Sequence, residues 1–383
     1  MKKLYRMILV ALCAIMGLSV VGCSNDPGTP KETATPEVTA EPTPEPTPVI
    51  EYTWKDLEAE NTEIAVAKLK PTIIGRVITS ATSYTFNYSS GGVEFGFTGT
   101  SLSVDFNKCG AWVAVYVDDM EEIVINATEK GLVQVVGGLS ADQIHCVRIQ
   151  KRSESNAGQM IIKTVKIDDG AKFYVKEYKS QRKRIEVLGD SIACGYGNIY
   201  GLITKTTDSY LEEEDGTQTF ATMLADYYQA DLCVCCISGI GVGNSKNSPW
   251  PILPSYKMDG NKKHDFTKDI PDLLIIELGQ NDFACGNTGD EFIEYAHQLV
   301  DFIRGNYPDV PIIWYYGIMG EALFDQIDTV VKSYNDAGDK NIYFLKTHMD
   351  ENEPLGGAGH PSVTTMRRMT NELVEFISKT LNW

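Results

Sequence analysis

Val187-Leu188-Gly189-Asp190-Ser191-Ile192-Ala193-Cys194-Gly195-Tyr196-Gly197 sets a serine directly behind an apolar run and inside a glycine-rich turn. Residues 185–188 read as a short β-strand, and the Gly-Asp that follows ends it sharply. The Ser191 hydroxyl is thereby delivered to the carboxyl end of a strand, the edge at which open α/β sheets bind their ligands.

Downstream of this stretch apolar strands alternate with amphipathic helices. Strands are expected at 232–237, 273–278, 311–315 and 342–346, and helices near 217–229, 290–306, 321–335 and 362–381. The second of these strands is followed by the clearest helical period, with Phe292, Tyr295, Ala296, Leu299, Val300 and Ile303 at steps of three and four. Strand then helix, repeated, gives a parallel sheet covered on both faces, so residues 181–383 are expected to form a three-layered α/β domain.

Upstream the texture differs. Short alternating runs at 84–88, 93–97, 101–106, 112–117, 144–150 and 160–167 are separated by polar and glycine-rich turns such as Ser89-Ser90-Gly91-Gly92. That spacing, without a helical period between, predicts an antiparallel β-sandwich over residues 51–180, with a jelly roll as the expected form.

The first 50 residues belong to neither body. Lys2, Lys3 and Arg6 precede an apolar run over 7–21 that is too short to span a bilayer and is flanked like an export signal, so residues 1–22 are read as a signal peptide. The run ends Leu18-Ser19-Val20-Val21-Gly22-Cys23, which resembles the bacterial lipobox and implies lipidation of Cys23. Residues 23–50 are dominated by Pro, Thr and Glu and are expected to act as an extended spacer. The sequence therefore predicts an extracellular protein tethered to the bacterial cell membrane through Cys23.

Composition limits the partners. The chain has 383 residues, 43% hydrophobic and 22% charged, with a formal net charge of −18. Loss of residues 1–22 removes three cations and no acids, which takes −18 to −21. So acidic a surface is a poor match for nucleic acid. Of nine cysteines, Cys13 would leave with the signal and Cys23 would be lipidated. The remaining seven lack a disulfide framework spacing. Cys233, Cys235 and Cys236 read as small core residues on a buried strand, and no metal or cofactor is expected.

Four motifs fall at comparable places in the α/β half. Ser191 follows the first strand, Ser238-Gly239 the second and Gly279-Gln280-Asn281-Asp282 the third, while Gly359-His360-Pro361-Ser362 opens the last helix. Residues that follow parallel strands share one sheet edge, so Ser191 and His360 can meet despite their separation in sequence. The constellation resembles the SGNH hydrolases, whose blocks supply Ser, Gly, Asn and His in that order.

That resemblance implies acyl transfer. A serine hydroxyl needs a base to take its proton, and His360 fills that place. The tetrahedral oxyanion needs preset donors, which the resemblance assigns to the backbone N–H groups of Ser191 and Gly239 and the side-chain amide of Asn281. Glycine at 239 is expected to let the backbone approach without a Cβ in the way. His145, His264, His297 and His348 read as solvated or structural.

The order of the two bodies narrows the resemblance. Phe97-Thr98-Gly99-Thr100-Ser101-Leu102, then Val113-Ala114-Val115-Tyr116-Val117 running into Asp118, then Ile144-His145-Cys146-Val147-Arg148-Ile149-Gln150-Lys151-Arg152, precede Gly189-Asp190-Ser191-Ile192. Over residues 70–383 this is similar to carbohydrate esterase family two. The resemblance implies an acetyl esterase that removes O-acetyl groups from plant polysaccharides such as xylan and glucomannan through an acetyl-serine intermediate. It also implies that the sandwich packs beside the catalytic domain without forming its active site. Many SGNH hydrolases place an Asp three residues before the histidine, whereas residues 357, 358 and 359 here are Gly, Ala and Gly. A backbone carbonyl can fix the histidine tautomer instead, so a Ser191–His360 dyad is expected, with Asp350, Glu351 and Glu353 as the acids a folded loop would otherwise bring back. Aromatic faces suit pyranose rings, and Tyr196 and Trp250 are the expected substrate-binding residues. Two other readings stand beside the esterase: a carbohydrate-binding lipoprotein without catalysis, and an esterase for peptidoglycan acetate or lipid.

Overall fold

A sheet of five parallel strands carries the carboxyl-terminal half. Its spatial order is Asp231–Cys236, Arg184–Gly189, Leu273–Glu277, Ile312–Tyr316 and Ile342–Lys346, so the second strand in sequence flanks the first. The computed structural model describes residues 50–57, 61–202, 210–243, 257–259 and 262–383. The proposed signal, Cys23, most of the spacer and Trp250 lie outside the described residues.

Strand alternation builds the three layers. Leu188, Leu274, Ile276, Ile312 and Trp314 face one side, where Phe292, Leu299 and Ile303 of helix Asp290–Asn306 and Ile327 and Val330 of helix Phe324–Asp336 cover them. Ile185, Val187, Ile275 and Ile313 point the other way, onto Phe220 and Leu224 of helix Phe220–Tyr228 and Met366, Leu373 and Ile377 of helix Val363–Leu381. Buried on both faces, the strands read as continuous apolar runs, which is why they were visible in the sequence. Ser362 caps the last helix by accepting the Thr365 N–H at 3.5 Å.

The amino-terminal half is antiparallel throughout, in sheets of seven, four and three strands. Phe95 and Phe97 of Gly92–Phe97, Val147 and Ile149 of His145–Lys151, Leu102 and Val104 of Ser101–Asp105 and Val165 of Thr164–Ile167 contribute to a single core, so the two larger sheets face one another across it. The run at 160–167, expected as one strand, is two. Met160–Ile162 pairs in the three-stranded sheet and Thr164–Ile167 in the four-stranded one. The buried parity shifts at the break, from Met160 and Ile162 to Val165 and Ile167, but three consecutive apolar residues at 160–162 hide the shift in the sequence. Strands Tyr52–Leu57, Ile123–Asn126, Leu132–Gly137 and Phe173–Tyr178 were not anticipated, being more exposed and less regular in pattern.

Both halves lie within one compact unit. Their junction is largely polar: Arg76 pairs with Glu186 at 2.7 Å, Arg148 with Asp226 at 2.9 Å, Arg152 with Asp215 at 3.3 Å, and Gly216 N–H donates to the Arg152 carbonyl at 2.8 Å.

Candidate active site

The nucleophile's strand has its two flanking strands connected in opposite directions, which opens a crevice at its carboxyl end. Ser191 begins a one-turn helix, Ser191–Cys194, in that crevice, and the buried Asp190 side chain caps it by accepting the Ile192 N–H at 3.0 Å. Ser191 itself is only 8% exposed.

His360 Nε2 lies 2.8 Å from Ser191 Oγ. On the other side of the ring Nδ1 lies 3.2 Å from the Gly357 carbonyl oxygen, a geometry that places the Nδ1 proton on the carbonyl and leaves Nε2 free to accept from serine. Ala358 has φ +53° in the turn that sets the Gly357 carbonyl against Nδ1. The three acids that could have replaced it are elsewhere: Glu353 binds Arg368 at 2.8 Å, Asp350 accepts from the Asn352 N–H at 2.8 Å, and Glu351 is exposed. Burial lowers the His360 pKa below the ordinary histidine value, opposed in part by the Gly357 and Ala358 carbonyls, so the ring is neutral at pH 7.

Two main-chain bonds bracket the histidine. Gly357 N–H donates to the Gly197 carbonyl at 2.8 Å and Val363 N–H to the Asn198 carbonyl at 3.0 Å. The serine turn and the histidine turn are thus joined on both sides of His360, which explains how residues from the first and last strands keep a hydrogen-bonding distance.

Gly239 occupies the turn after strand Asp231–Cys236 with φ +83°. A Cβ there would meet no atom within 4 Å. Within the protein, the positive φ is what selects glycine here, since no neighbouring protein atom crowds the position. Asn281, in the short helix Gln280–Ala284 after the third strand, donates through Nδ2 to Asp190 Oδ2 at 2.9 Å and to the Ile240 carbonyl at 2.8 Å. Both amide hydrogens thus already have protein acceptors, a constraint on its expected oxyanion role that spacing did not reveal. Tyr196 lies against the His360 ring, with centroids 4.7 Å apart, and stacks on Tyr210 at 5.4 Å.

Three acids behind the site carried no role in the sequence reading. Asp190 and Glu277 are fully buried neighbours. Burial raises the Asp190 carboxyl to about 7, and burial together with the charge of Asp190 raises Glu277 well above its usual value, so the two share protons at neutral pH. Asp282 accepts the Val242 and Gly243 N–H groups at 2.7 Å each and fixes the chain beyond Gly239. The signal that could have found Asp282 is its place beside the expected donor in Gly279-Gln280-Asn281-Asp282.

Among the described residues, Glu186, Cys233 and Cys235 form a group whose ligand atoms lie within 4.8 Å of one another. Arg76 pairs with the Glu186 carboxylate at 2.7 Å, so that acid already has a cationic partner. Cys233, Cys235 and Cys236 are buried, in keeping with small core residues.

The family model for the carbohydrate esterase 2 N-terminal domain matches residues 73–175, and that for the GDSL-like lipase/acylhydrolase family matches residues 187–363. The chain therefore carries a carbohydrate esterase 2 N-terminal domain followed by a GDSL-like lipase/acylhydrolase domain. Among curated relatives, the chain is 29% identical over 314 residues to cellulase/esterase CelE of Acetivibrio thermocellus, covering 77% of the chain and 38% of the relative. It is 26% identical over 236 residues to an acetylxylan esterase/glucomannan deacetylase of Cellvibrio japonicus, covering 58% of the chain and 64% of the relative. The chain therefore spans less than two thirds of the length of both. A solved family-two esterase from Clostridium thermocellum, in complex with cellohexaose, superposes with a TM-score of 0.69 at 27% identity over 82% of this chain and 99% of that one.

Proposed function

We propose that this chain is a carbohydrate esterase of family two, an acetyl esterase acting on O-acetylated plant polysaccharide such as xylan or glucomannan. The 2.8 Å contact between His360 Nε2 and Ser191 Oγ, with Nδ1 on the Gly357 carbonyl, carries the reading. Ser191 Oγ attacks the acetyl carbonyl while His360 takes its proton. The backbone N–H groups of Ser191 and Gly239 receive the oxyanion, and Asn281 joins them by giving up one of its two present acceptors. Collapse sends the proton from His360 to the departing sugar oxygen and leaves acetyl-Ser191, which water then cleaves with His360 again as base. Tyr196 and Trp250 receive the apolar face of the sugar, Tyr196 being the one already against the dyad. The sandwich is read as a jelly roll. Export, lipidation at Cys23 and a spacer over 23–50 would present the enzyme to substrates outside the cell.

The test is hydrolysis of a chromogenic acetate ester by the wild type and by Ser191→Ala. Loss of at least about 10³-fold is expected, and equal rates would sink the assignment. Acetate release from acetylated xylan, glucomannan and peptidoglycan then selects the substrate, and preference for long acyl chains would refute the acetyl reading. A second reading, sugar binding without turnover, draws support from the relative solved with cellohexaose and from the stacked pair Tyr196–Tyr210 beside the dyad. Cellohexaose binding with no esterase activity would favour it.

A further inference from the structure

Glu154 belongs to the antiparallel half, three residues beyond the end of strand His145–Lys151, yet its carboxylate reaches into the hydrolase half. The residue is 2% exposed. Its Oε2 accepts the Ser238 N–H at 3.0 Å and the Asn156 side-chain amide at 3.2 Å, and Cys194 Sγ lies at 3.8 Å. Ser238 immediately precedes Gly239, and Cys194 closes the one-turn helix that Ser191 opens. One carboxylate thus touches both the turn that presents the Gly239 N–H and the helix that presents the Ser191 N–H.

The carboxylate is held from behind. Lys151 is fully buried, and its ammonium donates to the Ser153 carbonyl and, at 2.6 Å, to the Glu154 carbonyl, which fixes the backbone that carries the acid. On the far side of the same turn Asp282 holds the N–H groups of Val242 and Gly243. The segment 238–243 is therefore clamped at its two ends by acids, one from each half of the molecule. A peptide N–H serves an oxyanion only if its direction is fixed before the charge forms, since reorientation during the reaction would cancel much of the gain. Glycine at 239, with no side chain to pack, cannot supply that rigidity itself.

We infer that Glu154 is a positioning residue for the oxyanion donors, so that the antiparallel half completes the catalytic machinery of the hydrolase half. The inference rests on the esterase reading above. Its chemistry is static: Glu154 transfers no proton and touches no substrate atom, and acts by holding the Ser238 peptide. This assigns the first half a role in turnover separate from any sugar binding.

The test uses the full chain with a chromogenic acetate ester. Glu154→Ala is expected to lower kcat about 10- to 100-fold with KM within about twofold, the size of loss seen when a supporting residue behind a reactive group is removed. Glu154→Gln keeps an acceptor oxygen at the same reach and should recover to within about fivefold of wild type. Glu154→Asp keeps the charge but withdraws it by one methylene, and should lose activity as Ala does while melting within a few degrees of wild type. Amide hydrogen exchange of the peptide containing Ser238 should accelerate in Ala and Asp but not in Gln. A wild type that exceeds Ser191→Ala while Glu154→Ala and Glu154→Asp keep kcat within twofold overturns this inference alone. Equal rates for wild type and Ser191→Ala overturn the esterase reading and this inference with it. Equal losses in all three Glu154 variants, accompanied by equal losses of melting temperature, would mark a merely structural acid.

Discussion

Gly197 and Gly357 pack backbone on backbone: a Cβ built on Gly197 would lie 2.8 Å from the N, Cα and O of Gly357, whose N–H already donates to the Gly197 carbonyl at 2.8 Å. Gly197 also has φ +65°. Gly197→Ala is therefore expected to push the histidine turn away from Ser191. Overpacking and the left-handed backbone together should cost roughly 1–3 kcal/mol in urea unfolding. Displacement of the base by a fraction of an ångström to 1 Å should lower kcat by roughly tenfold or more. A variant with unchanged kcat would mean that this contact does not set the dyad distance.

The His360 shift predicts the acid limb of the pH profile. Buried and below its ordinary value of 6.5, the ring loses its proton at lower pH than a solvated histidine does, and the neutral ring is the base. A plot of kcat/KM against pH should rise with a midpoint below 6.5. A midpoint at or above 6.5 would require an acid at Nδ1, contrary to the Gly357 carbonyl found there.

Asp190 and Glu277 predict how stability responds to pH. In the folded protein their carboxyls hold protons that the unfolded chain has already released above its ordinary carboxylate values of 3.8 and 4.5. Stability contributed by the protonated pair is present below those values and is lost as pH rises toward about 7, where Asp190 ionises. Glu277→Gln retains an acceptor for backbone N–H groups and offers Asp190 a donor. It should raise the melting temperature at pH 8, with a gain of about 1 kcal/mol or more, and converge on wild type near pH 4. Destabilisation at pH 8 would show that the pair is not strained by charge.

Asp282→Ala would strip the Val242 and Gly243 N–H groups of a charged acceptor where Val242 is buried. A loss of roughly 2–4 kcal/mol in denaturant unfolding is expected. Activity should fall further than stability alone explains, because the released segment contains the turn after Gly239. Equal activity at a temperature where the variant remains folded would argue against that coupling.

The strand ends were legible because each of the first three carries a local signature: an apolar run followed at once by a glycine and a polar residue. Ser191 and His360 could be paired without coordinates since parallel strands collect their carboxyl ends on one edge. The support was not legible. Glu154 stands 84 residues from Ser238 and in the other body, and nothing in Arg152-Ser153-Glu154 distinguishes it from a solvated acid. Gly197 sat inside the quoted nucleophile stretch, but its need for the Gly357 backbone depends on a contact no periodicity encodes. The occupied amide of Asn281 likewise follows from where Asp190 and Ile240 come to rest.

The third partner of this dyad is a peptide oxygen, and that alters how the site can fail. A triad acid is erased by a change in one codon, whereas the Gly357 carbonyl is main chain and is lost only by being moved. What removes it is a change in the path of the chain: an insertion or deletion between 356 and 360, or a bulkier residue where the two turns touch. The mutational target for losing the base's alignment is therefore made of glycines and loop length rather than of a titratable side chain, and a screen for inactive variants should collect its hits there.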